Sequence, residues 1–155
     1  MNTRIQSNLK RLLFVGLSTV ALSGITPFAV SAEFGTAQEA KSLLQKAVTA
    51  VKSNKTESLA KFNSGADGFK DRDLYVFCIG PDGISTAGPM MGKDTKDLKD
   101  KNGKMLGQAL MNAGKEGQIA EVAYMWPRPG TTEAVQKTSF VTKVSDQVCG
   151  VGYYH

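Results

Sequence analysis

The sequence predicts an α+β domain in which helices cover one five-stranded, mostly antiparallel sheet. Three observations carry this. Apolar residues with helical spacing run between Thr36 and Phe62, β-prone stretches form one group of two and a later group of three, and a further helical face lies between the groups. Neither group of strands can bury a face alone, whereas one sheet with helices laid against it makes a core of ordinary size.

The chain has 155 residues, 41% hydrophobic and 21% charged, with a formal net charge of +5. That is globular composition, enough for one domain. The basicity is unevenly placed. Arg4, Lys10 and Arg11 are followed by the apolar run Leu12 to Leu22, by the helix breakers Gly24 and Pro27, and by the small-residue triplet Val30-Ser31-Ala32. This is the pattern of an export signal, and the run is short for a membrane span. Residues 1–32 are therefore read as a cleavable signal peptide with cleavage after Ala32, and residues 33–155 as the mature domain. The expected location is periplasmic or secreted, with no membrane span after cleavage. The mature part keeps 16 bases against 14 acids, which gives no electrostatic case for nucleic acid.

Each element follows from local chemistry. Thr36 and Glu39 form a capping box ahead of Ala40, Leu43, Leu44, Ala47, Val48 and Val51, which predicts a helix over about 36–53. Ser53-Asn54-Lys55 interrupts it, and Thr56 is read as the cap of a second helix over about 56–63, ended by Asn63-Ser64-Gly65. The sheet and a middle helix take up 70–154. Leu74 to Ile79 is β-prone and apolar on both faces, and Gly80-Pro81-Asp82-Gly83 turns it into a short strand, Ile84 to Ala87. The mixed-charge run 92–104 is assigned to water. Met105, Leu106, Ala109, Leu110 and Ala113 give the middle helix, stopped by Gly114 or Gly117. Gln118 to Trp126, Val135 to Val144 and Gln147 to Tyr154 complete the strands. The order is that of a PAS-like architecture.

Within this order the pieces Phe69-Lys70-Asp71-Arg72-Asp73-Leu74-Tyr75-Val76-Phe77, the Pro-Asp-Gly turn, Leu98-Lys99-Asp100-Lys101-Asn102-Gly103-Lys104, Tyr124-Met125-Trp126-Pro127, Lys137-Thr138-Ser139-Phe140-Val141 and Gly150-Val151-Gly152-Tyr153-Tyr154 resemble the type 2 single Cache domain, an extracytoplasmic bacterial sensor module. The likeness spans roughly 37–154. It implies a PAS-like sheet with a pocket for a small organic molecule under the middle helix, and a first strand lying centrally beside the last. It also implies a membrane sensor or receptor as partner, since such domains are usually joined to a kinase or chemoreceptor. Two departures stand out. Members often carry a histidine late in the second strand, where this chain has Thr86-Ala87-Gly88, and the loop before Gly92 is shorter.

The candidate ligand-binding residues are Tyr75, Phe77, Tyr124, Trp126, Lys137, Ser139 and Tyr154. Lys137 lies in a strand whose same-face neighbours are Val135, Ser139 and Val141. A cation there is costly to bury unless an anion such as a ligand carboxylate meets it; the other reading is a stem along the sheet edge with its ammonium in water. Sequence alone favours the second reading, since lysine is almost never fully buried, and the family's lysine at this position brings the two level. Tyr124 and Trp126 share a face and either wall a pocket or fill core. Gly150, Gly152 and Tyr154 share a face of the last strand. The two glycines either leave room for a cavity with Tyr154 at its rim or mark a bulge or close approach.

Cys78 and Cys149 lie in the exported part, where a disulfide is permitted. A parallel pairing of first and last strands, as the PAS-like order implies, offsets them beyond the ~7 Å Cα limit, so pairing stays open. No phosphate loop, nucleophile motif, metal cluster or cofactor signature is present, and His155 is the one histidine. The 98–109 stretch fails as a calcium loop because its first and twelfth positions are Leu98 and Ala109. The expectation is a non-enzymatic, cofactor-free periplasmic protein that binds a small organic acid in sensing. The alternatives are an interaction protein that keeps the fold without a working pocket, and a redox-active partner using the two cysteines, with the sulfurs close and at least one exposed.

Overall fold

The computed structural model describes residues 33–155, so the leader and its cleavage after Ala32 lie outside the described residues. Helix α1, Ala37–Ser53, starts on the expected capping box: Glu39 N donates to Thr36 Oγ1 at 3.3 Å and Thr36 N donates to Glu39 Oε2 at 2.8 Å. Its buried face is Ala40, Leu43, Leu44, Ala47 and Val51. Helix α2, Lys55–Ser64, begins earlier than expected and is capped by Asn54, not Thr56. Asn54 Oδ1 accepts from Glu57 N at 3.1 Å. One extended residue thus ends α1 and starts α2, and Gly65, at φ 73°, closes α2 in the left-handed region.

The strands are β1 Lys70–Asp71, β2 Leu74–Ile79, β3 Ser85–Ala87, β4 Ala120–Pro127, β5 Ala134–Val144 and β6 Gln147–Tyr154, with helix α3, Leu106–Ala113, before β4. β1 adds to the five expected strands. Arg72, at φ 54°, reverses the chain tightly enough to fold Lys70–Asp71 back on Leu74–Tyr75. Gly114 caps α3. The main sheet runs β3-β2-β6-β5-β4, antiparallel throughout.

β2 and β6 are central neighbours as expected, but antiparallel rather than parallel. The register pairs Val76 with Val151 and Ile79 with Val148. That reversal removes the expected offset and sets Cys78 directly opposite Cys149, with Cα atoms 4.1 Å apart, joined as a disulfide. Both cysteines are 0% exposed, so the condition for a redox-active pair, an exposed sulfur, is not met.

Period-two alternation sorts the side chains. On one face Leu74, Val76, Cys78, Phe140, Val144, Cys149 and Val151 pack with α1 and α2. On the other Phe77, Ile79, Val122, Tyr124, Trp126, Val141 and Val148 pack under α3. The run 92–104 is not wholly solvated. Thr95 and Asp100 are buried: Thr95 Oγ1 donates to Gly83 O at 2.8 Å, and Asp100 accepts from Asn102 N, Lys104 N and Met125 N at 2.9, 2.9 and 3.0 Å. The Met125 bond holds the loop against β4, and the Thr95 bond ties it to the turn between β2 and β3. The N–H of Met125, then those of Lys104 and Asn102, keep the Asp100 carboxyl below the ordinary carboxylate range despite burial.

Candidate functional site

The α3 face of the sheet brings the seven predicted residues together. Cross-strand pairs place Lys137 beside Tyr124 on one side and Tyr154 on the other, and Ser139 beside Gly152. Tyr75 and Phe77 arrive from β2. Lys137 is 0% exposed, which excludes a stem along the edge with its head in water. Its Nζ donates to Tyr75 Oη at 2.7 Å and Tyr154 Oη at 3.3 Å, and lies 4.0 and 4.6 Å from the centroids of the same two rings. Tyr124 Oη and Ser139 Oγ are 2.8 Å apart, and Tyr154 Oη donates to Pro127 O at 2.7 Å.

Among the described residues Lys137 has no carboxylate in ion-pair contact. The nearby acid, Asp73, is engaged elsewhere: it accepts from Gly35 N at 2.7 Å and Arg128 Nη1 at 2.9 Å. The guanidinium of Arg128 lies 4.1 Å from the Phe34 ring centroid and 4.9 Å from that of Tyr154. Arg128 therefore takes the ion pair with Asp73, which acts on Lys137 only through its charge. Desolvation pushes the Lys137 amine down to about 7, with the charge of Asp73 opposing. Burial raises Tyr75 and Tyr124 well above the usual phenol range and pushes Tyr154 up to about 12, so all three are neutral donors.

The room expected above Gly150 and Gly152 is not a cavity. A β-carbon on Gly150 would overlap the Phe77 ring, and one on Gly152 would overlap Lys137 Cε and Ser139 Oγ. The glycines admit protein side chains. A cavity of ≈ 50 Å³ lies farther out on the same face. Its sheet side is Tyr75, Phe77 and Ile79 of β2 with Tyr124 and Trp126 of β4, and its cover is Leu106 and Leu110 of α3 with Pro89, Met90, Thr95 and Leu98. Lys137, Ser139 and Tyr154 do not line it. Tyr75 does, and stands between the cavity and the lysine.

Pro89, Met90, Thr95 and Leu98 were not singled out from the sequence, nor was the Asp73–Arg128 pair. The loop residues lack periodicity. The pair comes from positions 55 apart, and only the Asp-x-Asn-Gly turn around Asp100 left a local signal. Among the described residues there is no cluster of metal-ligating side chains and no helix long and apolar enough to cross a membrane.

A family model described as single Cache domain 2 matches residues 18–154. A methyl-accepting chemotaxis protein from Vibrio parahaemolyticus is similar in structure, with 26% identity and a TM-score of 0.63 over 76% of this chain and 86% of that one. A periplasmic sensor domain of a chemotaxis protein has 24% identity and a TM-score of 0.57 over 76% and 88% of the two chains. A Cache chemosensory domain described for carboxylic acid recognition has 21% identity and a TM-score of 0.52 over 76% and 86%. Comparison with curated proteins gives no match.

Proposed function

The chain belongs to the single Cache domain 2 family of extracytoplasmic sensor domains, and on that premise we propose that it is an exported, non-enzymatic sensor domain that binds a small organic acid on the α3 face of its sheet. The observation that carries this reading is Lys137: a fully buried amine with two phenols and no anion. Burying an unpaired charge is costly. A ligand carboxylate supplies the missing anion and so favours the protonated form of this amine, while Asp73 stays paired with Arg128. Tyr75, neutral at physiological pH, holds its hydroxyl against the lysine and its ring in the cavity wall, beside the position such an oxygen would take. A membrane receptor is the partner this reading calls for.

The cavity supports a particular shape of acid. Aliphatic and aromatic side chains make most of its wall, and away from Tyr75 its hydroxyls are already engaged: Thr95 on Gly83 O and Tyr124 with Ser139. A second carboxylate there would be desolvated without a partner. At ≈ 50 Å³ the space suits a few heavy atoms. A short aliphatic monocarboxylate fits, with its head at Tyr75 on the side of Lys137 and its tail toward Leu106 and Leu110. The carboxylic acid recognition described for a relative of the same fold agrees in ligand class.

The test is calorimetric titration of the exported protein with straight-chain monocarboxylates from acetate to hexanoate, and with succinate as a dicarboxylate. Binding of a short monocarboxylate that is lost in Lys137→Gln, with native far-UV dichroism, supports the proposal. Binding unaffected by Lys137→Gln refutes the assignment of the head group. A second reading, an interaction protein without a working pocket, draws on the filling of the space above Gly150 and Gly152 by Phe77 and Lys137. It predicts no binding of any acid.

A further inference from the structure

A second hollow, ≈ 360 Å³ in volume, adjoins the inner cavity and shares two wall residues with it, Tyr75 and Pro89. The rest of its wall includes Phe62, Asn63, Lys70 and Pro129. Lys70 and Tyr75 are directly opposed across β1 and β2, so their side chains project on the same side. Lys70 is exposed and is the one charged residue lining the hollow. Among the described residues it has no ion pair. The cleft between α1 and α2 differs: there Lys61 is paired with Glu57 and Asp67, and Lys46 is bonded to the Asp67 carbonyl.

The partition between the two hollows is Tyr75 of β2 and Pro89 of a short loop. Pro89 and Met90 lie on the loop from Gly88 to Gly92, and both glycines have left-handed backbone, φ 95° and 80°. Asn63 fixes the base of this loop: its Oδ1 accepts from Gly88 N and its Nδ2 donates to Thr86 O, both at 3.1 Å. The far side is tied to β3, where Gly92 N donates to Ser85 O at 2.8 Å and Ser85 N to Lys93 O at 2.9 Å, while Met91 at the tip is 57% exposed.

We propose that this outer hollow is an antechamber for an organic anion: Lys70 draws the anion in, and the Tyr75–Pro89 partition passes it to the inner cavity in front of Lys137. The inference rests on the acid-binding reading above. It adds an outer site that acts through the association rate, and a residue to carry that role. A fixed cation at the mouth of a hollow raises the association rate of an anion and leaves its dissociation almost unchanged, an effect that salt screens.

Trp126 is the one tryptophan of the chain and lines the inner cavity, so its fluorescence reports arrival there. Stopped-flow mixing with the tightest-binding acid of the acetate to hexanoate series is run on wild type, Lys70→Glu, Lys70→Gln and Lys143→Glu. Lys143 lies toward the opposite end of β5 from Lys137, so Lys143→Glu makes the same change in net charge away from the hollow. The expected result at low salt is an association rate lowered about tenfold in Lys70→Glu and less in Lys70→Gln. Dissociation is unchanged, Lys143→Glu behaves as wild type, and the difference disappears in high salt. Equal association rates for Lys70→Glu and Lys143→Glu, with binding still lost in Lys137→Gln, overturn the antechamber and leave the acid-binding reading standing. No binding of any acid to wild type overturns both.

Discussion

The side chain of Lys137 occupies the space that Gly152 leaves open. A β-carbon at residue 152 would overlap Lys137 Cε and Ser139 Oγ, so the lysine can lie against the sheet only because the neighbouring strand carries a glycine there. Gly152→Ala is expected to lever the lysine off the sheet. Overpacking of this kind costs about 1 to 3 kcal/mol. Denaturant melts should show that loss, and acid titration should show binding weakened together with stability.

Lys137 also makes stability depend on pH in an unusual direction. Its folded value of about 7 lies below its ordinary 10.5, so between these limits the unfolded chain holds a proton that the folded chain has released. Stability therefore rises with pH across that window, by at most about 1.4 kcal/mol per unit. Below the window the full cost of the buried charge is present. Urea unfolding between about pH 7 and about pH 9 checks this, and Lys137→Met should flatten the rise. A wild-type curve already flat there would contradict the burial of an ionisable amine.

The same group couples acid binding to proton uptake. A bound carboxylate favours the ammonium, so above about pH 7 binding must restore a proton to the free protein's neutral amine. Affinity is expected to fall as pH rises, by up to about tenfold per unit. Calorimetry in two buffers of different ionisation enthalpy measures the proton taken up, and equal heats in the two would exclude the linkage.

The disulfide closes a loop between positions 71 apart in sequence. Chain-entropy arguments assign a bridge of that span about 4 kcal/mol. The double variant Cys78→Ala, Cys149→Ala is expected to melt well below wild type. Because both residues are fully buried, native protein should resist a reducing agent that readily opens the bridge once urea is present. Thermal melts and thiol titration, each with and without reductant, give the two readings.

Much of the fold was legible locally. The capping box, the helical face of α1 and the bounds of β6 follow from residues within a few positions of one another, as does the covering of β2 on both faces. The cap of α2 was misplaced because Asn54 serves two helices at once, which a search for separate starts and stops does not find. Asp100 was assigned to water because its neighbours are charged. Its burial depends on Met125, a residue 25 positions away.

The candidate site divides in the same way. Alternation along β2, β4, β5 and β6 determined which side chains share a face, because the pleat has a period of two wherever the strand sits. Strand direction is not a local property. Only the tertiary structure set β2 antiparallel to β6, and that one choice turned Cys78 and Cys149 from an offset pair into direct neighbours. Nor does a strand reveal what will fill the room its glycines leave. Packing against β2 and β5 gave that room to Phe77 and Lys137, moved the cavity outward behind Tyr75, and left a buried cation whose anion the chain itself does not supply.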